Sequence, residues 1–198
     1  MLDIHQLQIH LGNNILNYQQ QIKTGEIVTL QGLSGVGKSS LLLCIAGFIS
    51  PAQGEISWNN QRISHSPIEN RPVAILFQEN NLFEHINVFK NACLGIPQIN
   101  PQEIAAAAEK LAISDQLYKM PNELSGGQRQ RVGLLRTLLR PEPIILLDEP
   151  FAELDMKTRD IAAAWVAKEA KRQNKTLLLV THQLEDVERL ADRNWQLT

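Results

Sequence analysis

An α/β fold with a mostly parallel sheet is the class this sequence predicts, and three observations carry it. Ile27 to Leu30, Val73 to Phe77, Ile144 to Leu147 and Thr176 to Val180 are compact apolar runs of strand length, bounded by polar or proline residues. Runs that are apolar on both faces belong to strands covered on both sides. Amphipathic helical patterns lie between them, the alternation that α/β folds require. The first run also leads through Gly32 into a continuous apolar segment from Leu41, which reads as strand, glycine loop, helix.

The helices follow in chain order. After Asn100 and Pro101, a helix start, Ile104, Ala107, Ala108 and Leu111 recur at helical spacing opposite Glu103, Glu109 and Lys110. Leu184, Val187, Leu190 and Ala191 repeat the pattern near the end of the sequence. Residues from about 80 to 140 carry helix-like patterns and no convincing strand, so they read as a helical subdomain inserted into a core of residues 1–79 and 141–198. The whole is expected to be one domain.

Composition excludes several classes. The 198 residues are 43% hydrophobic and 20% charged, which is globular and neither fibrous nor disordered. The net charge of −2 leaves no bulk basic field for nucleic acid. The longest apolar run, Leu41 to Ile49, is far below the roughly 20 residues of a bilayer crossing. The N-terminus has neither a basic start nor an apolar stretch with a small-residue cleavage site, so no secretory leader is expected. Cys44 and Cys93 lack CxxC spacing and read as small core residues in a reducing compartment.

The chemistry begins at Gly32-Leu33-Ser34-Gly35-Val36-Gly37-Lys38-Ser39, a complete G-x-x-x-x-G-K-S between a strand and a helix. The glycines let successive N–H groups converge on phosphate oxygens, and the helix directs its positive end at the same anion. Lys38 is placed to bridge the β- and γ-phosphates, Ser39 to ligate Mg²⁺, and Ser40 to join the nucleotide-binding set. This loop predicts a bound nucleoside triphosphate.

A second run, Ile144 to Leu147, ends in Asp148 and Glu149. Successive strand residues point to opposite sides, so the two carboxylates have different tasks. Asp148 is assigned to the metal, as the ligand a phosphate loop demands on a neighbouring strand, and Glu149 to the attacking water.

Leu124-Ser125-Gly126-Gly127-Gln128 precedes an apolar helical stretch containing Val132, Leu134, Leu135, Leu138 and Leu139, and places a second anion site at a helix start. With the phosphate loop, this pentapeptide resembles ABC-type ATPases, and the resemblance runs from about Leu2 to Asp192. It implies a P-loop NTPase core with a mostly parallel sheet, a small N-terminal antiparallel β part and an inserted helical subdomain. It further implies that Gln78 contacts the metal and senses a transmembrane partner, that Asp155 in Ala152-Glu153-Leu154-Asp155 belongs to the D-loop, and that His182 is the switch histidine. Members of the family pair head to tail, so that Ser125 and its glycines face the triphosphate held by the other chain's Lys38. A homodimer or a pair with a related ATPase chain is therefore expected, with ATP and Mg²⁺ as ligands.

The resemblance has departures. The family's adenine-stacking aromatic falls near His10-Leu11, where neither residue is a large aromatic ring, and Tyr18 is poorly placed to substitute. Leu33 stands where many relatives have proline. The stretch Arg71-Pro72-Val73-Ala74-Ile75-Leu76-Phe77-Gln78-Glu79-Asn80-Asn81-Leu82-Phe83 is similar to bacterial importers and most closely to thiamine-type ATP-binding subunits. The resemblance implies a separate transmembrane permease docked near Gln78, a solute-binding protein for an importer, and a place on the cytoplasmic face of the membrane. The larger importer subunits continue past the switch histidine, so regulation through a C-terminal domain is not expected here.

The competing class is a soluble ABC-type ATPase in DNA repair or translation. Its coiled-coil insertions and tandem cassettes have no counterpart in this sequence. Arg129, Arg131, Arg136 and Arg140 read as a solvated or intersubunit helix face, not a nucleic-acid stripe.

Overall fold

The computed structural model describes residues 1–12, 14–79 and 82–197. Asn80 and Asn81 of the importer-like stretch, and Thr198, lie outside the described residues.

Two sheets organise the chain. The first is antiparallel, in the order β2 (Asn14–Ile22), β1 (Leu2–Leu11), β4 (Gln53–Trp58), β5 (Gln61–Arg62). In the second, β6 (Val73–Leu76), β7 (Ile144–Asp148), β8 (Thr176–Val180), β3 (Ile27–Gln31) and β9 (Arg193–Gln196) lie side by side, all parallel. The four runs predicted as buried strands are four of these five. One expectation is corrected: the strand ending at Asp148 is not the neighbour of the strand leading to the phosphate loop. Strand β8 lies between them, because β7 pairs with β8 and β8 with β3.

Helix α1 (Lys38–Ala46) packs between the two sheets. Helices α2 (Val88–Cys93), α3 (Pro101–Lys110), α4 (Gly126–Leu139) and α5 (Met156–Arg172) cover the other face of the parallel sheet, and α6 (Leu184–Leu190) follows β8. The strands feed two cores alternately. Ile144, Leu146, Leu178 and Val180 face α1 and the antiparallel sheet, whereas Ile145, Leu147, Leu177 and Leu179 face the helices. Between residues 82 and 140 the described elements are helical, α2 to α4 with two short 3₁₀ turns.

The small N-terminal antiparallel part implied by the resemblance is present, and β1 shows no clean strand pattern of its own for a physical reason. Its buried residues Leu2, Ile4, Leu7 and Ile9 break the period of two between Ile4 and Leu7. A bulge absorbs the extra residue, with Gln6 at φ +45°. Gly54 sits across from it at φ +76°, where a Cβ would lie 2.2 Å from the Gln6 carbonyl oxygen, so only glycine fits.

Two further expectations change. Leu184 is exposed, so the buried face of α6 is carried by Asp186 and Leu190. The four arginines of α4 and its end are half-buried, where a fully solvated face was one of the two readings. Arg131 donates to the carbonyls of Leu111 and Ala112 just past the end of α3, Arg129 lies 3.6 Å from Glu84, and Arg140 donates to Glu142.

Candidate functional site

The predicted residues converge because four neighbouring parallel strands end on one edge. Gln78 follows β6, Asp148 ends β7 with Glu149 after it, His182 follows β8, and the phosphate loop follows β3. Ligands of open α/β sheets bind outside these carboxyl ends. A cleft of about 670 Å³ opens there, lined by Ser34, Gly35, Gly37, Lys38, Ser39, Ser40, Gln78, Asp148, Glu149 and His182. Gly32, Leu33 and Val36 complete the same loop, with the Leu33 side chain turned to solvent.

The loop is held from two sides. Val36 N–H donates to the Leu33 carbonyl, and the Lys38 ammonium donates to the carbonyls of Gly32 and Leu33, both at 2.9 Å. Gly37, at φ +102°, lies directly under strand β2. A Cβ there would be 2.4 Å from the Tyr18 hydroxyl oxygen, which itself donates to the Gly37 carbonyl at 2.9 Å. Tyr18 is therefore a buttress of the loop, and its ring packs edge-on against Trp195. Leu11 lines the cleft in the place expected for an aromatic residue, and His10 is exposed.

The carboxylates are electrostatically distinct. Ser39 and Asp148 line the same cleft, although β8 separates β7 from β3, the strand that leads to the phosphate loop. Burial raises the Asp148 carboxyl above its ordinary pKa, partly countered by the Ser39 hydroxyl and by Lys38 and His182. Burial also raises Glu149, with His182 opposing and Asp148 adding to the shift. Glu149 has φ +49°, an uncommon conformation for a residue with a side chain. Its Oε1 lies 3.1 Å from His182 Nε2, yet this buried oxygen has no hydrogen-bond partner within the chain.

The Ser125 segment stands apart from the cleft. Ser125 caps α4, accepting from Gln128 N–H, while Gln128 Oε1 accepts from Ser125 N–H at 2.8 Å. Leu124 anchors the segment in the core, and Glu153 packs against Gly126 and Gly127. Asp155 caps α5, and hydrogen bonds from Thr158 hold its carboxyl below the usual range.

One connecting residue was not foreseen. Gln130, buried on α4, donates from Nε2 to the Glu149 carbonyl at 3.0 Å and accepts from Glu153 N–H at 2.9 Å. Its spacing after Gln128 places it on the inner face of the helix, which was the available signal.

This fold and this cleft define an ABC-type ATPase. The chain belongs to the ABC transporter family, whose family model matches residues 15–152. Among curated relatives it is 48% identical over 188 residues to the thiamine import ATP-binding protein ThiQ of Haemophilus influenzae, covering 88% of this chain and 87% of the relative. The protein of the same name from Escherichia coli O157:H7 is 40% identical, with coverage of 98% and 85%. Among solved structures, a dimeric ATP-binding cassette in a post-hydrolysis state with ADP and Pi is similar at TM-score 0.86 and 28% identity, covering 100% of this chain and 94% of that one.

Proposed function

We propose that this chain is the ATP-binding, ATP-hydrolysing subunit that energises a bacterial importer of a small solute, with thiamine as the cargo suggested by its relatives. The observation that carries the reading is the convergence of Lys38, Ser39, Asp148, Glu149 and His182 at the ends of neighbouring strands.

Residues 32–40 hold the triphosphate through backbone N–H groups, and Lys38 moves its donors from the Gly32 and Leu33 carbonyls to the β- and γ-phosphate oxygens. Ser39, Asp148 and Gln78 offer a hydroxyl, a carboxylate and an amide oxygen, the hard oxygen donors that suit Mg²⁺. Bound there, Mg²⁺ would neutralise charge on the β- and γ-phosphates. Glu149 orients the attacking water with its unpartnered Oε1, and His182 holds that carboxylate in register. The rest of the site comes from a second copy or a related chain, whose Ser125, Gly126, Gly127 and Gln128 face the γ-phosphate with Leu124 anchoring them, and whose Asp155 lies at the junction. Support comes from the separation of the Ser125 segment from the cleft of its own chain and from the dimeric state of the similar cassette.

The transport path belongs to a separate permease. Among the described residues no helix is long and apolar enough to cross a membrane. A half-open groove of about 340 Å³ beside Gln78, rimmed by exposed Phe48, Ile68 and Phe83, fits a permease helix. A solute-binding protein and a position on the cytoplasmic face of the membrane complete the reading, as does a single domain in which residues 80–140 are the helical subdomain.

Glu149→Gln tests the assignment. Filter binding of labelled ATP and a phosphate-release assay are expected to show retained ATP binding, an accumulated closed dimer and turnover reduced about 100-fold or more. Wild-type turnover in this variant refutes the role of Glu149.

A further inference from the structure

Among the described residues of the cleft, three buried polar atoms have no hydrogen-bond partner: Glu149 Oε1, Arg159 Nε and Asp186 Oδ1. The first is the atom assigned above to the attacking water. The other two lie 4.0 Å apart as an ion pair between α5 and α6, and the mechanism above does not use them. Buried polar atoms in folded proteins are nearly always satisfied, so this pair requires an explanation.

The remaining atoms of the two side chains supply it. Arg159 Nη2 donates to the Phe151 carbonyl at 3.0 Å, two residues beyond Glu149. Asp186 Oδ2 accepts from the Thr181 hydroxyl at 2.6 Å, and that hydroxyl accepts from Gln183 N–H at 3.1 Å. Thr181 and Gln183 flank His182. Arg159 thus grips the segment leaving Glu149, Asp186 grips Thr181, whose hydroxyl in turn holds Gln183 on the other side of His182, and the opposite charges join the two grips. Glu149 itself sits at φ +49°, a conformation that persists only where its surroundings impose it.

The geometry points to the Arg159–Asp186 pair as a positioning brace for ATP hydrolysis, one that sets the 3.1 Å approach of His182 Nε2 to Glu149 Oε1. Neither residue is catalytic: each acts through the loop it holds. The inference rests on the proposed roles of Glu149 and His182. It differs from a purely structural ion pair in a testable way, because a structural pair can be replaced by two neutral residues with recovery of both stability and activity, whereas a brace cannot.

The experiment compares Asp186→Asn, Arg159→Met and the double variant in the full chain, measuring kcat and KM for ATP with Mg²⁺ present and the melting temperature of each. Each single change is expected to lower kcat about 10- to 100-fold, the range for a displacement near 1 Å, with KM within about threefold of wild type. The double variant is expected to melt near wild type and to keep the low kcat of the worse single variant, since residues acting as one unit are not additive. Arg159→Lys keeps the charge and loses the fork that reaches Phe151; its kcat is expected to fall about tenfold with melting unchanged. Single variants within threefold of wild-type kcat, a double variant whose kcat returns with its stability, or losses that multiply, would each overturn the brace. Wild-type chain and Glu149→Gln run alongside as controls. A wild-type chain without turnover overturns the proposed function, whereas normal controls with an unaffected Asp186→Asn overturn the brace alone.

Discussion

Arg71→Met is expected to destabilise the chain by about 3 kcal/mol, and the structure shows where the loss arises. Arg71 is 6% exposed and is held by carbonyls: Nε donates to Ser66, Nη1 to Cys44 and Ile45, and Nη2 to Ser64, at 2.7 to 3.0 Å. Cys44 and Ile45 lie in the last turn of α1, so the guanidinium caps the negative end of the helix that begins with Lys38. Burial lowers its pKa, and it stays charged at neutral pH. Four charge-assisted bonds at about 1.5 kcal/mol each amount to about 6 kcal/mol. Relief of the buried charge returns several kcal/mol, taken here as about half of that sum. Urea unfolding followed by tryptophan fluorescence measures the difference, with the slope unchanged if only the folded state is affected. Arg71→Lys keeps one charge but cannot span all four carbonyls, and about half of the loss is expected. A methionine variant within about 1 kcal/mol of wild type, or a lysine variant equal to wild type, refutes the capping argument.

Lys175 is 2% exposed, and burial lowers its ammonium pKa from 10.5 to about 8 while it donates to the carbonyls of Leu138 and Arg140. Between those pH values the unfolded chain binds more protons at this site than the folded one, so its contribution to stability rises with pH across the window. Relative to Lys175→Met, the wild type is expected to gain about 3 kcal/mol between pH 8 and pH 10.5, and a flat difference rejects the shift. Leu11→Tyr supplies a stacking face at the rim of the cleft and is expected to lower KM for ATP at least about fivefold; an unchanged KM places the base elsewhere. Mixing Lys38→Ala with Ser125→Arg chains is expected to restore one intact composite site in the mixed dimer. No recovered ATPase activity in a mixture that does form mixed dimers argues against head-to-tail pairing.

Legibility in the sequence followed the physics of each element. Strands β3, β7 and β8 are buried on both faces and therefore stood out as apolar runs. Strand β2 carries mostly polar residues, and β9 is Arg-Asn-Trp-Gln, so neither has such a run. Helix α5 buries Ala162, Ala163 and Ala170 around Trp165 and Val166, a face too weakly apolar for a clear periodic signal. At the site, residues with local spacing were readable, including Lys38 with its loop and Asp148 with Glu149. Gln130 escaped because its partner, the Glu149 carbonyl, is distant in sequence, and Arg159 and Asp186 because each is paired with the other across two separate helices. The within-chain partners of Arg131 escaped for the same reason: they lie about 20 residues upstream, at the end of α3.

The place of β8 between β3 and β7 bears on how the chain is made. Residues 27–31 and 144–148 both emerge from the ribosome before residues 176–180, yet they are joined only through that late segment. Until it arrives, β7 with the Asp148–Glu149 pair presents an open edge beside β6, and β3 with the phosphate loop has no strand partner in its sheet, since β9 is made later still. Insertion of one five-residue strand then joins β3 to β7 and brings the cleft together in a late, non-local step. Nascent chains shorter than about 180 residues lack more than His182: they lack the element that brings the rest of the site together.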